Sequence, residues 1–237
     1  MKIGVICEGE NSDGPALECL LQAEFQDHTF VVLGTTKAAI FSAAGALIDD
    51  MLSDGCQRVV VVWDLHPVGT QMTINAQTEA DEACQMDQRR TLLAKALGTA
   101  DKCADDIREL QHRYDFVPSE AALAPSRVAL VCFAHSFDAV FLCDTELLRT
   151  LASSEIRTAE QMGTVKRPHT VQKPQEVIRR YFGKGHNAIL KHFNKFQHNI
   201  VLAKAFVEKR RLARLRKHEA YGRLAGVIEV WVEPADA

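Results

Sequence analysis

Four consecutive valines, in the stretch RVVVVW at residues 58–63, constrain this 237-residue chain more than any other feature. β-Branched side chains in succession crowd a helix and suit a strand. Neighbouring strand residues point to opposite faces, so an unbroken apolar run needs cover on both. Such a strand belongs inside a mainly parallel sheet with helices on either side. Residues 2–7 (KIGVIC) and 127–134 (RVALVCFA) have the same character, and residues 29–33 form a fourth strand candidate.

Helical patterns fall between these runs. Pro15 suits the first turn of a helix that Ser12 or Asp13 can cap, and Leu17, Leu20, Leu21 and Phe25 give it one apolar face. Residues 37–53 place Ile40, Phe41, Ala44, Leu47, Ile48 and Met51 on one side. Residues 79–113 and 137–151 also read as helical, and 66–76 as a loop. Alternating strands and helices predict an α/β fold with a mainly parallel, doubly wound, Rossmann-like sheet. The expected organisation is an α/β domain over 1–151, a polar linker over 152–173, and a basic helical extension over 174–237. Within that extension residues 197–218 read as one helix, and residues 227–232 (VIEVWV) as a possible closing edge strand.

Composition narrows the class. No apolar run approaches the roughly 18 residues of a spanning helix, so no membrane role is expected. The opening MKIGVICEGE turns acidic too early for a signal peptide. Seven cysteines, an odd number without a CxxC pair, argue against structural zinc and for reduced thiols. Cys7, Cys132 and Cys143 lie in apolar runs, where a thiol packs as a small hydrophobe. A cytoplasmic location is the expectation. The net charge of −3 hides a division. Residues 1–164 carry 12 Lys+Arg against 25 Asp+Glu, a net of −13, and residues 165–237 carry 16 against 6, a net of +10. Such asymmetry points to an anionic partner such as nucleic acid.

Functional groups of an open parallel sheet gather at the carboxyl ends of its strands. Glu8 follows the first strand, Asp64 follows the valine strand, and Asp138 stands just past the strand ending near Ala134. Asp13, at the head of the first helix, is within reach of the same end. Singly, each has an ordinary reading as a helix cap or strand terminus. Together they repel unless a cation lies between them, and oxygen donors suit Mg²⁺ or Mn²⁺. The residues therefore predict a divalent-metal site acting on phosphate esters. No P-loop or GxGxxG occurs, so a nucleotide-cofactor domain has no support.

At these residues the chain resembles the TOPRIM (topoisomerase–primase) family. Glu8-Gly9-Glu10-Asn11-Ser12-Asp13 is similar to its Glu-Gly-x-x-Asp motif. Trp63-Asp64-Leu65-His66 is similar to its Asp-x-Asp strand end, with His66 where the second Asp usually stands. Ser136-Phe137-Asp138 resembles the acidic patch of small stand-alone TOPRIM proteins near the overcoming-lysogenization-defect nucleases, with Asp for Glu. The likeness covers roughly residues 1–150. It implies phosphodiester hydrolysis with Mg²⁺ or Mn²⁺ held by Glu8, Asp64 and Asp138, with Asp13 as a ligand or supporting residue and His66 in place of a carboxylate, and with Glu8, Asp64 and Asp138 catalytic. It further implies a setting in defence against mobile DNA beside an ATPase partner. The runner-up is an inactive domain that only binds nucleic acid or assembles a complex, which His66 and Asp138, as departures from the motifs, favour. The topoisomerase branch of the family needs a tyrosine nucleophile from another domain; Tyr181 lies in the basic segment, but nothing in the sequence marks it as activated.

In the basic segment Lys173, Arg179, Arg180, Lys184, Arg210, Arg211 and Arg214 are the expected contacts to a phosphate backbone, with DNA ahead of RNA. Gly183 and Gly185 beside Lys184 would let backbone approach a phosphate. The interleaved aromatics, Phe193 and Phe196 among them, fall at helical spacing with Ile200 and Val201 and are expected to pack.

Overall fold

The structure, a computed structural model, describes residues 1–64, 127–133, 135–152, 164–182 and 193–233. Its centre is a four-stranded, all-parallel sheet: β1 (Lys2–Glu8), β2 (Thr29–Thr35), β3 (Arg58–Asp64) and β4 (Val128–Phe133). The strand order is β2-β1-β3-β4. This is the α/β architecture that the alternating pattern predicts.

The valines occupy β3 as their chemistry requires. Val59, Val60, Val61 and Val62 are all buried, and β3 is a central strand, paired with β1 on one side and β4 on the other. Helix α1 (Asp13–Glu24) covers one face with Leu17, Leu20 and Leu21. Helix α2 (Lys37–Ser53) covers the other with Ile40, Ala44, Ile48 and Met51. A Cβ on Gly4 would lie 2.6 Å from Met51 Sδ, so α2 packs almost directly on the backbone of β1. Thr36 caps α2 by accepting the N–H of Ala39 at 3.1 Å.

β1 leads to β2 on one side, and β2 crosses back by α2 to β3 on the other. The two strands at the centre therefore send their chains in opposite directions. Between their carboxyl ends lies the crevice in which open α/β sheets bind ligands. Glu8 and Asp64 sit on its two lips.

Beyond β4 the chain forms a 3₁₀ segment (Phe137–Asp144) and then α3 (Thr145–Ala152), rather than one continuous helix. Asp144 Oδ1 accepts the N–H of Leu147 at 3.0 Å and so anchors the start of α3. A short 3₁₀ turn (Pro168–Thr170) precedes α4 (Pro174–Phe182), α5 (Lys195–Glu208), α6 (Leu212–Leu215) and α7 (Glu219–Val232).

Two expectations for the C-terminal segment are corrected. VIEVWV is the last part of α7, not a closing strand. Its β-branched residues resemble a strand locally. The buried positions Ala220, Tyr221, Leu224, Ala225, Ile228 and Trp231 nevertheless repeat at three and four residues, the helical period. Nor is 197–218 one helix. It breaks after Glu208, where Arg210 adopts a left-handed conformation (φ 54°) and the Arg211 N–H returns to the Phe206 carbonyl at 2.8 Å. This is a Schellman-type ending with Arg where Gly is usual.

The basic segment shares the α/β core. Ile178, Phe182, Leu202, Phe206, Leu224 and Trp231 lie in one cluster with Val60, Val131 and Phe133. Arg216 Nε donates to Glu24 Oε1 at 2.6 Å and Tyr221 Oη to Glu24 Oε2 at 2.8 Å, fastening the C-terminal helices to α1. Cys7 is buried, and burial pushes its thiol far up. Cys143 is half-buried, its thiol pushed up to about 12 by burial. No described helix is long and apolar enough to cross a membrane.

His218, 2% exposed, precedes α7 and stacks on Phe133 with ring centres 5.3 Å apart. Burial, with His169, Arg223 and His135 nearby, lowers its pKa to about 3. The unfolded chain takes up that proton near pH 6.5, and the native state resists it down to about 3. Stability from this site is thus complete above about 6.5 and is lost as pH falls towards 3. Chemical denaturation of wild type and His218→Phe across pH 4–8 should show a stability difference that shrinks on acidification, by up to about 3 kcal/mol. Arg210→Gly should add about 1 kcal/mol in the same measurement by relieving the left-handed residue.

Candidate functional site: an acidic crevice at the strand ends

The loop after β1 is shaped by glycine. Gly9 has φ +84°, and its carbonyl accepts the N–H groups of Ser12, Asp13 and Gly14 at 3.0–3.2 Å. This turn starts α1 immediately beyond Glu8. The loop folds down onto β2, where a Cβ on Gly34 would lie 2.5 Å from Glu10 Cα. Gly9 and Gly34 thereby hold Glu8 and Asp13 at one edge.

Asp13 is the first residue of α1 and is buried, but it does not cap the helix as a strand-end acid ordinarily would. Its carboxylate turns toward α5. Asn199 Nδ2 donates to Asp13 Oδ1 at 2.8 Å and to Asp138 Oδ1 at 2.7 Å. Lys195 Nζ, one turn earlier on α5, lies 3.8 Å from Asp13 Oδ2. Asp138, fully buried, also accepts from Ser136 Oγ at 2.9 Å. Between the two lips the Asp64 N–H donates to Glu8 Oε1 at 3.1 Å, and Lys37 Nζ donates to the Asp64 carbonyl.

The electrostatics follow from burial. Asp13 is pushed up to about 7, first by burial and then by the charge of Asp138, against the pull of Lys195 and Asn199. Asp64 is raised well above the usual carboxylate range by burial and by Asp13 and Glu8. Glu8 is raised by burial, with Lys37 opposing. Burial pulls Lys195 down, but Asp13, Asp138, Asp64 and Glu8 outweigh it and hold the ammonium charged. All four acids therefore share one electrostatic environment.

The donor set is chemically right for a hard divalent cation, being carboxylate oxygen. Among the described residues, however, no three His, Cys, Asp or Glu side chains already stand in a metal-holding arrangement. The amide of Asn199 lies between Asp13 and Asp138. His66 and Lys184, with Gly183 and Gly185, fall outside the described residues.

The phosphate contacts expected in the basic segment are scattered. Lys173 lies 3.4 Å from Glu176, and Arg179 Nε donates to the Phe193 carbonyl at 2.8 Å. Arg211 lies 3.7 Å from both Asp144 and Glu146. Arg180, Arg210 and Arg214 are exposed. Tyr181 is buried and its hydroxyl is raised by burial, the opposite of an activated nucleophile. Phe193 packs as its spacing predicts, but Phe196 is 60% exposed.

Sequence reasoning found the four acids and missed Lys37, Ser136, Lys195 and Asn199 as parts of the site. Lys195 and Asn199 are four apart and share a helix face, but that face is recognisable only once α5 is docked on α1. Comparison with protein-family models, curated proteins and solved structures finds no match.

Raised carboxylate pKa values carry a stability consequence. A buried acid moved from 3.8 to about 7 is neutral in the native state at pH 5 and must ionise in place by pH 8. Its cost is absent below about 4 and complete above about 7. Asp13→Asn should therefore stabilise the protein in EDTA at pH 8, by on the order of 1 kcal/mol or more, and give little at pH 4. Urea titrations at the two pH values measure this.

Proposed function

We propose that the chain is a metal-dependent nuclease of the TOPRIM kind, hydrolysing phosphodiester bonds in nucleic acid. The observation that carries this reading is the convergence of Glu8, Asp13, Asp64 and Asp138 at the crevice between β1 and β3, where burial and neighbouring acids raise Asp13 and Asp64. Such an arrangement is costly unless a cation or a proton offsets it.

Glu8, Asp64 and Asp138 would hold Mg²⁺ or Mn²⁺, with Asp13 supporting and His66 in place of a carboxylate. The bound metal supplies Lewis-acid stabilisation and a more acidic water. Within the chain, Asn199 and Ser136 orient Asp138, and the Asp64 N–H orients Glu8. Lys195 and Lys37 bring positive charge to the lips, where a phosphate oxygen would gain charge in the transition state. Arg180, Arg210 and Arg214, exposed on the C-terminal helices, are available to a phosphate backbone, with DNA ahead of RNA. A role in defence against mobile DNA beside an ATPase, in the cytoplasm, belongs to the same proposal and rests on the motif resemblance.

A specific observation favours a second reading, an inactive module that binds nucleic acid or assembles a complex. Asn199 and Lys195 satisfy Asp13 and Asp138 from within the chain, as a structural polar cluster would.

Labelled single- and double-stranded DNA and RNA, incubated with Mg²⁺ or Mn²⁺, separate the two. Catalysis predicts cleavage that falls at least about 100-fold in Glu8→Ala and Asp64→Ala, with folding intact by circular dichroism. Salt-sensitive binding without cleavage in either metal selects the inactive module.

A further inference from the structure

Phe196 stands apart from the other aromatic residues of the basic segment. At 60% exposed it is the most open large hydrophobic side chain among the described residues, whereas Phe193, Phe182 and Phe206 are at most 1% exposed. A single exposed apolar side chain is ordinary. Its surroundings are not. Phe196 lies in the first turn of α5, whose start is fixed on both sides. Asn194 Oδ1 accepts the Phe196 N–H at 3.1 Å, and the Asn194 N–H donates to His198 Nδ1 at 2.7 Å. Its neighbour Lys195 faces two ways, with Nζ 3.8 Å from Asp13 Oδ2 and 5.8 Å from the centre of the Phe196 ring. An ammonium thus links the acidic crevice to an open aromatic face.

We propose that Phe196 is a stacking platform for an unpaired nucleobase at the mouth of the crevice, making single-stranded or locally unpaired nucleic acid the preferred substrate. This rests on the phosphodiester reading above and deepens it. The ring centre lies within about 10 Å of the Asp13 carboxylate, given the two distances through Lys195. Successive phosphates of one strand advance by about 3.4 Å along a helix axis. A phosphate at the acids therefore places its own base, or one a few nucleotides along, over the ring. A cationic track beside an aromatic face is how single strands are held without sequence preference. Bases stacked inside a duplex cannot offer a face to the ring, so the platform selects unpaired nucleotides. At 60% exposed the ring is outside the buried core of the described residues, and its replacement should not disturb the fold.

The test uses the full chain, a fluorescent thymidine oligonucleotide, a duplex of equal length, and a single strand carrying 2-aminopurine. Binding is read by anisotropy in EDTA and cleavage in Mn²⁺, for wild type, Phe196→Ala and Phe196→Trp. Phe196→Ala should weaken single-strand binding roughly 5- to 150-fold, the factor one stacked base contributes. It should leave duplex affinity and melting temperature unchanged and abolish 2-aminopurine quenching, whereas Phe196→Trp retains both affinity and quenching. Single-strand binding that is unchanged in Phe196→Ala, while wild type cleaves, overturns the platform and leaves the nuclease reading standing. Phe196-dependent binding without cleavage by wild type upholds the platform and removes hydrolysis. A loss confined to self-association, seen by sedimentation, would make Phe196 a contact between copies and overturn the proposal, as would wild type that binds neither strand form.

Discussion

Asp13 and Asp138 come from opposite sides of the sheet's central pair, 125 residues apart in sequence, and share the one amide of Asn199. Two buried carboxylates at close range would otherwise repel in surroundings that screen poorly. An amide that spends both N–H groups on them lowers that cost without adding a charge. Lys195 adds the charge one turn away. The docking of α5 against α1 therefore rests on more than Leu202, Ala203 and Phe206 in the core. It is also set by the Asn199 and Lys195 contacts to Asp13 and Asp138, which fix the rotation of α5 about its own axis. The exposed position of Phe196 follows from that rotation.

The same contacts change the meaning of the charge division. A net of −13 ahead of residue 165 and +10 after it suggests an acidic domain with a basic appendage. In the folded chain the two parts interlock. Lys195 enters the acidic crevice, Arg216 binds Glu24, and Arg211 faces Asp144 and Glu146. Part of the basic segment is consumed in holding the protein together, and surface pairs of this kind contribute modestly each. What remains for an outside anion is the exposed subset, Arg180, Arg210 and Arg214 among it.

Much of this was legible in the sequence because it is local. Val59–Val62 can be satisfied only by a strand covered on both faces, and residues at strand ends follow from the strands. Thus Glu8 and Asp64 were recognisable as neighbours in space from separate segments. The rest was not legible for identifiable reasons. Residues 227–232 contain β-branched residues that favour a strand over a short window, and only the burial of Ala220, Tyr221 and Leu224 upstream reveals the helical period. Arg210 terminates a helix in a conformation that sequence normally announces with Gly. Asn199 is one of many polar residues on a helix, and its role depends on two partners 186 and 61 positions away. Phe193 and Phe196 share the same apolar spacing, and nothing short of tertiary packing separates the buried one from the open one.

The position of the acids also explains why the fold can carry them. β3 is covered on both faces and paired on both edges, so its carboxyl end has little freedom to relax. A charge placed there stays where the strand puts it. Asp64 uses its backbone, not its carboxylate, to contact Glu8 and Lys37, through an N–H in one case and a carbonyl in the other. Its side chain is thereby left to the crevice, buried among like charges and raised by them. A protein selected for stability alone would gain by replacing such a group with an apolar one of similar size. On the reading proposed above, that cost is offset by a cation and a phosphate bound at this sheet end, a pairing whose charges match both the acids and the lysines beside them.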